Sequence, residues 1–503
     1  MKKLLAILLV AIMSFTVLVS CGGNGDGNGD GNGEGSGETG GNGNGNGNGE
    51  STPPTAESLV AAADAALEGG TYKINAVVSA ITNNEEMNTQ MGFTGPMMSM
   101  AITIVGDDFM MESAQGGESY VSALVGNVYY DYETDGTVTE GEKCTFNEAQ
   151  LNAFLAGNGD MGLNLTENIP LSPEDFATVT LTEADGKYTV VYADLKDEAK
   201  DGLGDSMSMG MDFDTVTLTM VFADGKYESF DMVMSVAMPP EATDLTEEIV
   251  ITVTCDMGFT YSDVAITIPA NADLEEVYYE DVAGTTDYDE YVEAELGAYV
   301  AVDTFVQGKQ SWWSDDGVGK GTIYTQNYGG GFFLYEVELT KEEYDALEVG
   351  THIMVYGFKS AWDGEVEIID AEIRVLNDYT WIAEPQDVTD LLGTAEIENY
   401  RDSKVSFSNM TVVASNDDGA AFLYKWNGAG KAGDDIYFKA SVNGEVYTFV
   451  IESYLTADGT AVYEAAEALK VGDVINMEAF LYWYSTDAQP HVYSITAANA
   501  DAE

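Results

Sequence analysis

ALEVGTHIMVYGF, residues 346–358, and ALKVGDVINMEAF, residues 468–480, are one phrase written twice. Ala, Leu, Val, Gly, Ile and Phe coincide at a constant offset, and in both the Val-Gly step leads into an alternating apolar run. The match extends upstream. Thr322–Tyr324, a Gly329–Gly331 turn and Phe332–Leu339 precede the first phrase; Asp435–Tyr437, an Asn443-Gly444 turn and Val446–Glu452 precede the second. Between hairpin and phrase each half holds a short helix. One starts at the capping box Thr340-x-x-Glu343 and runs through Tyr344 and Leu347; the other runs from about Thr460 through Val462, Ala465 and Leu469. First strands are Tyr299–Val306 and Lys404–Val413, and last strands lie near Glu365–Val375 and His491–Ala497.

Each half therefore reads strand, strand, strand, helix, strand, strand. A helix between the third and fourth strands of a five-stranded Greek-key barrel marks the OB-fold, and the V-G-x-x-I string resembles OB-fold domains of secreted bacterial proteins. This predicts two five-stranded OB barrels, over 295–380 and 381–499. Such barrels bind through the loop between strands one and two (L12), the loop between strands four and five (L45) and the face between them. Tryptophans fall there. Trp312 and Trp313 lie between strands one and two of the first barrel, and Trp362 between strands four and five. In the second, Trp426 lies in a Gly-rich insertion before strand two, and Trp483 sits between Tyr482 and Tyr484 near the end of strand four. These five are the candidate ligand-binding residues. Their faces suit stacking on sugar rings or bases; equally, large rings can close the ends of a small barrel. Nucleic acid needs a funnel of Lys and Arg. Lys309, Lys320, Lys425 and Lys431 are nearby, but Asp315, Asp316, Asp434 and Asp435 surround them. A glycan or a protein partner therefore ranks above nucleic acid.

Residues 56–280 read differently. Thr55 or Ser58 caps a helix carrying Leu59, Ala62, Ala63, Ala66 and Leu67, which Gly69-Gly70 stops. A long antiparallel meander follows. Val216, Leu218, Met220 and Phe222 alternate with threonines; Ala223–Tyr227 is a hairpin turn; Phe230, Met232, Met234 and Val236 resume the alternation. The same ADGKY string at 184–188 joins Thr178–Thr182 to Thr189–Tyr192. Asn147 caps a helix with Leu151, Phe154 and Leu155, and Ser172-Pro173 begins another. A helix followed by such a meander resembles the lipoprotein-carrier family (LolA-like) and the related LppX/LprG lipoproteins. The resemblance implies a curved antiparallel sheet, a half-barrel with helices, holding an apolar ligand. Met97, Met98, Met100, Met207, Met209, Met211, Met232 and Met234 suit an adaptable apolar lining or an ordinary core.

At the start, Lys2 and Lys3 precede a nearly continuous apolar run from Leu4 to Val19, a length that fits a secretory h-region. Leu18-Val19-Ser20-Cys21 resembles the lipobox of bacterial lipoproteins. The resemblance implies removal of a signal peptide, 1–20, and lipidation of Cys21. The protein would then be held on the outer leaflet of the bacterial cytoplasmic membrane, facing outward; two or three acyl chains suffice for stable anchoring. Residues 21–55 form a Gly/Asn/Asp-rich disordered tether without aromatics, Lys or Arg. Its r.m.s. span is roughly 30 Å and its limit about 110 Å. Gly alternates with each would-be calcium ligand and no distal bidentate Glu follows, so the tether is not read as a calcium loop.

Nineteen Lys and Arg against 87 Asp and Glu give a net charge of −68, which repels phosphate backbones and anionic headgroups alike. Cys144 and Cys255 can pair or remain buried thiols. The only histidines are His352 and His491, so no zinc spacing and no Ser/His/Asp arrangement is present, and no single acid stands out as catalytic. The sequence predicts a mainly β, non-catalytic, membrane-anchored cell-surface lipoprotein with no metal and no cofactor. It would bind an apolar ligand in the first domain and a glycan or protein at the barrels. The alternative is an extracellular nucleic-acid-binding protein acting through its tandem OB folds.

Overall fold

The computed structural model describes residues 53–93, 95–115, 118–135, 137–157, 171–200, 212–238, 247–269 and 274–498. Cys21, residues 1–52 and Met207, Met209 and Met211 lie outside the described residues. The chain is mainly β and forms two compact units, Met1–Val282 and Ala283–Glu503.

The first unit opens with helix α1 (Ala56–Leu67), whose cap is reciprocal. Ser58 N donates to Thr55 Oγ1 (3.2 Å) and Thr55 N to Ser58 Oγ (2.9 Å). Its buried stripe is Ala56, Leu59, Ala63 and Leu67. Eleven strands follow: β1 (Thr71–Thr82), β2 (Pro96–Val105), β3 (Asp108–Gln115), β4 (Glu118–Val125), β5 (Val128–Thr134), β6 (Val138–Thr145), β7 (Phe176–Ala184), β8 (Lys187–Leu195), β9 (Asp212–Ala223), β10 (Lys226–Met238) and β11 (Ile249–Thr260). The short β12 (Glu275–Glu276) adds a parallel edge to β6. The order, β12-β6-β5-β4-β3-β2-β1-β11-β10-β9-β8-β7, is two meanders sharing β1 and β11 at the centre. Helices α2 (Glu85–Met91) and α3 (Glu148–Gly157) interrupt it, the second with Asn147 accepting from Gln150 N at 2.9 Å.

Period-two alternation decides the inner face. Ile74, Ala76 and Val78 of β1, Val216, Leu218 and Met220 of β9, Met232 and Met234 of β10, and Val253 and Cys255 of β11 share one core with α1. Register places Met232 opposite Cys255 and Leu218. Tyr227 on β10 donates its hydroxyl to Asp64 on α1 (2.8 Å). Two expectations change. Val179 and Leu181 are 49% and 37% exposed: β7 is the last strand of the sheet, and among the described residues its apolar alternation meets no covering layer. Ser172-Pro173 starts only a single 3-10 turn, Pro173–Asp175, since Phe176 already begins β7. Cys144 on β6 and Cys255 on β11 are free and buried, with five strands between them in the sheet order.

The second unit holds two closed five-stranded barrels of OB type. Helix α4 (Tyr279–Ala283) ends at the unit boundary and α5 (Tyr288–Glu293) precedes the first barrel. That barrel is β13 (Tyr299–Lys309), β14 (Trp313–Asp315), β15 (Val318–Gln326), β16 (Gly331–Glu338), α6 (Lys341–Ala346), β17 (Thr351–Trp362) and β18 (Glu365–Thr380). It closes through β13 on β15, with β16 and β18 parallel and β14 an additional ribbon on β15. After β19 (Gln386–Asp387) the second repeats the plan: β20 (Lys404–Val413), β21 (Phe422–Tyr424), β22 (Ile436–Val442), β23 (Glu445–Ile451), α7 (Ala461–Glu467), β24 (Val474–Phe480), the ribbon β25 (Trp483–Tyr484) and β26 (Asp487–Ala488), and β27 (His491–Ala497). β20 on β22 closes it, with β23 and β27 parallel. The capping box at Thr340 and Glu343 forms as read.

The first barrel draws on residues before 295. Tyr291 of α5 is 3% exposed in its core, 5.0 Å from the Phe332 ring. Lys359 Nζ, buried on β17, donates to the carbonyls of Tyr291 (2.8 Å), Val292 (2.9 Å) and Ala294 (2.7 Å). It caps α5 as a cation at a helix C-terminus.

The barrels interlock. Tyr324 and Phe333 of the first pack on Phe480 of the second, with Tyr324 and Phe480 stacked at 4.3 Å. Tyr324 Oη meets His491 Nδ1 at 2.7 Å, Trp483 N donates to Glu365 Oε2 at 2.6 Å, and Lys404 N to Gln326 Oε1 at 2.8 Å. At Gly331 a Cβ would stand 2.2 Å from the Asp402 carbonyl carbon, so only glycine lets these backbones meet.

Candidate functional site

The interlock leaves a groove of about 720 Å³. The hairpin between β17 and β18 forms one wall. Asp363 (φ 44°) and Gly364 (φ 96°) make its two-residue turn, which sets Trp362 opposite Glu365. Trp362 is thus an L45 residue, 57% exposed and facing Tyr484 of the second barrel at 6.1 Å. Trp426, 74% exposed, follows β21 in the second barrel's L12. Phe333, Tyr335, Tyr437 and Tyr482 complete the aromatic lining. The polar lining is Gln310, Glu367, Asp435, Glu452, Gln489 and His491, with no Lys or Arg among them.

The carboxyls here are unusual. Glu367 is 7% exposed, and burial, reinforced by Glu365 and Glu336, pushes it up to about 7. Glu452 also rises to about 7 by burial, although the N–H groups of Tyr454 and Leu455 donate to it. Asp435 accepts from Ser453 N (2.9 Å) and Oγ (2.6 Å). Behind the wall Glu365 and Asp402 are 0% and 2% exposed. Burial raises both, and Glu365 raises Asp402 further. Glu365 Oε1 and Asp402 Oδ1 have no hydrogen-bond partner, so both carboxyls favour the protonated form. Burial drives His491 down to about 3, so its ring is neutral and stacks on Tyr482 at 4.2 Å.

Of the five tryptophans read from the sequence, the groove gathers Trp362 and Trp426. Trp312 is half-buried and donates Nε1–H to Leu339 O (2.9 Å), packing the L12 ribbon onto its own barrel. Trp313 is 38% exposed on β14 with the Lys320 ammonium 5.3 Å from its ring. Trp483 is 5% exposed, part of the second core, with the Arg401 guanidinium 4.5 Å above it. The loop lysines are occupied: Lys309 donates to Tyr344 O (2.6 Å), Lys320 to Glu336 (2.7 Å), and Lys425 lies 3.4 Å from Asp434. Sequence reasoning missed Glu367, Glu452 and His491. Their only signal is an acid or imidazole on a strand (Glu367, His491) or just past one (Glu452), ordinary until the barrels pair. A smaller cleft of about 440 Å³ holds the sixth tryptophan, Trp381, 4.6 Å from Tyr328. Among the described residues no group of three or more His, Cys, Asp or Glu can hold a metal ion, and no helix is long and apolar enough to cross a membrane.

No family model matches the sequence, and no curated protein matches it. Solved structures that match part of the chain include the Ifi202 HINa domain in complex with 20-bp dsDNA, at 12% identity over 40% of this chain and 97% of that one, TM-score 0.21. A murine DNA binding protein bound with dsDNA matches at 9% identity over 39% and 99%, TM-score 0.21. A deletion mutant of the single-stranded DNA binding protein from Thermus aquaticus matches at 13% over 40% and 95%, TM-score 0.14.

Proposed function

We propose that this chain is an exported, lipid-anchored, non-catalytic binding protein whose tandem barrels take a glycan or a protein side-chain cluster in the groove. The observation that carries the groove reading is convergence. Trp362 comes from one barrel, Trp426 and Tyr484 from the other, and all three stay exposed beside buried carboxyls. Aromatic faces with acid and amide groups between them match the apolar faces and hydroxyls of a sugar ring. The anchor rests on the lipobox at Cys21, and the apolar ligand of the first unit on its LolA-like organisation. The test is binding of the full chain to immobilised oligosaccharides, with and without Trp362→Ala and Trp426→Ala. Binding that disappears in the double variant supports the reading; binding that survives it refutes the groove. Cys21→Ser should abolish incorporation of labelled palmitate, and solvent extraction of the purified protein should release a lipid.

Nucleic acid is the second reading. The same rings can stack bases, and two of the solved structures above were determined with double-stranded DNA. A likeness with TM-scores of 0.21 carries no weight by itself, and the groove lacks a cation to meet phosphate. A fluorescent single-stranded oligonucleotide titrated at roughly 50 and 200 mM salt decides it: tight, steeply salt-dependent binding would replace the glycan reading.

A further inference from the structure

Resting on the groove reading above, we propose that the groove recognises an organic ammonium group, with Glu367 as its counter-ion and Trp362, Trp426 and Tyr484 as its aromatic walls. Glu367 lines the cavity, yet its side chain is 7% exposed and no hydrogen bond or ion pair from a described residue reaches it. Its charged neighbours are Glu365 on its own strand and Glu336 on β16, and Glu336 is already paired with Lys320. A carboxylate withdrawn from water with no donor is costly; a neutral hydroxyl relieves it in part, and a proton or a cation, which also cancels the charge, relieves it most. No Lys or Arg lines the cavity, so the cation must arrive on the ligand. Indole and phenol faces attract such a group through their quadrupoles, most strongly where water is excluded. A bare divalent ion fits less well. Magnesium and calcium need six or more oxygens, and this groove is wide and mostly ring-lined.

The probe is choline, a permanent cation, against 3,3-dimethylbutanol, which has the same shape without the charge. Titrations by calorimetry use the full chain at physiological ionic strength, where diffuse attraction to an acidic surface is screened. Choline should bind at least about tenfold tighter than the neutral isostere, a difference within the range for a desolvated cation–π site. Glu367→Gln and Trp362→Ala should each erase that preference while the thermal unfolding curve keeps its shape. Choline affinity should also fall as pH drops from about 8 to about 5, because a proton on Glu367 competes with the ligand. The groups facing this carboxyl are Glu365, Glu336, Tyr335, Tyr482, His491 and, through Glu365, Asp402 and Arg401. Glu452 and Asp435 line the same groove, and Glu452 is also raised to about 7, so the share of the pH slope that belongs to Glu367 is the share that Glu367→Gln removes. Equal binding of choline and dimethylbutanol overturns the inference. So does a preference that survives Glu367→Gln, since that is attraction to the acidic surface at large. A neutral N-acetylglucosamine oligosaccharide in the same titration separates the two readings: if it binds while choline does not, the glycan groove stands and the ammonium site falls.

Discussion

The first barrel and the second close the same way from the same phrase, yet they use two equivalent positions, the last of the phrase and the one after it, differently, and each holds its one histidine in its own way. Phe358 is half-buried, edge-on to Tyr299 at 5.2 Å; its counterpart Phe480 is 2% exposed and stacked against the other barrel. Lys359 caps a helix where the second barrel has Leu481, wholly buried in apolar company. Both histidines stack on a ring, Phe305 on His352 and Tyr482 on His491, but His352 bonds two carboxylates where His491 bonds the Tyr324 hydroxyl. Closure needs only the alternation and the glycine turns, so the repeat keeps those. The outer faces are free to diverge, and they diverge where the barrels meet and where α5 docks.

The largest test of that difference is Phe480→Ala. Its ring fills the junction beside Tyr324 and Tyr493, so truncation leaves a cavity and should cost about 3–5 kcal/mol. Phe358→Ala, at the same place in the phrase, should cost roughly 2 kcal/mol because part of its surface is already in water. Denaturant unfolding followed by tryptophan fluorescence measures both. Equal costs would mean that the junction contributes nothing beyond two independent barrels.

Lys359→Leu writes the second barrel's residue into the first. The three carbonyls at the end of α5 lose their donor, and a loss of about 2 kcal/mol is expected, with α5 and Tyr291 loosening first. Hydrogen exchange at Tyr291–Ala294 reads this locally. If the leucine is tolerated without extra exchange, α5 is held by Tyr291 packing alone.

These contrasts also mark what the sequence could tell. Strand order, both helices, the capping box and the closing turns were legible because they follow from alternation and from Gly, Asn and Asp at turns. The meander around Val216–Val236 was legible for the same reason. The pairing of the barrels was not. Glu365 and Glu367 alternate with Val366 and Ile368, so on one barrel they belong to the solvent face; only Tyr482, Trp483 and Asp402 of the other barrel bury them. For the same reason Trp483, read near the end of strand four as a candidate ligand-binding ring, is core, while Trp362 at the end of β17 and Trp426 after β21 are exposed. β7 shows the opposite failure, an apolar alternation that stays exposed at Val179 and Leu181.

The smallest effect at neutral pH, and the one that separates the barrels by sign, is the histidine pair. Burial disfavours charge on His352, but Asp303 at Nε2 and Asp378 at Nδ1, both 2.6 Å away, outweigh it, and its pKa is raised. Its contribution is complete below the unfolded value of about 6.5 and disappears as pH rises through the folded value. His491 runs the other way. Its folded pKa is about 3, so its unfolded form alone takes a proton as pH falls below about 6.5. Stability is then lost at up to about 1.4 kcal/mol per pH unit until the folded ring protonates. Glu367 and Glu452, raised to about 7, act against this by weakening the fold as pH rises through the same window. The wild-type profile is therefore a sum, and differences between variants are what count. His491→Gln should remove the acid-side loss and leave the alkaline side unchanged; His352→Gln should do the reverse. If both variants flatten the same limb, the two rings share one environment, and the barrels differ less than their contacts say.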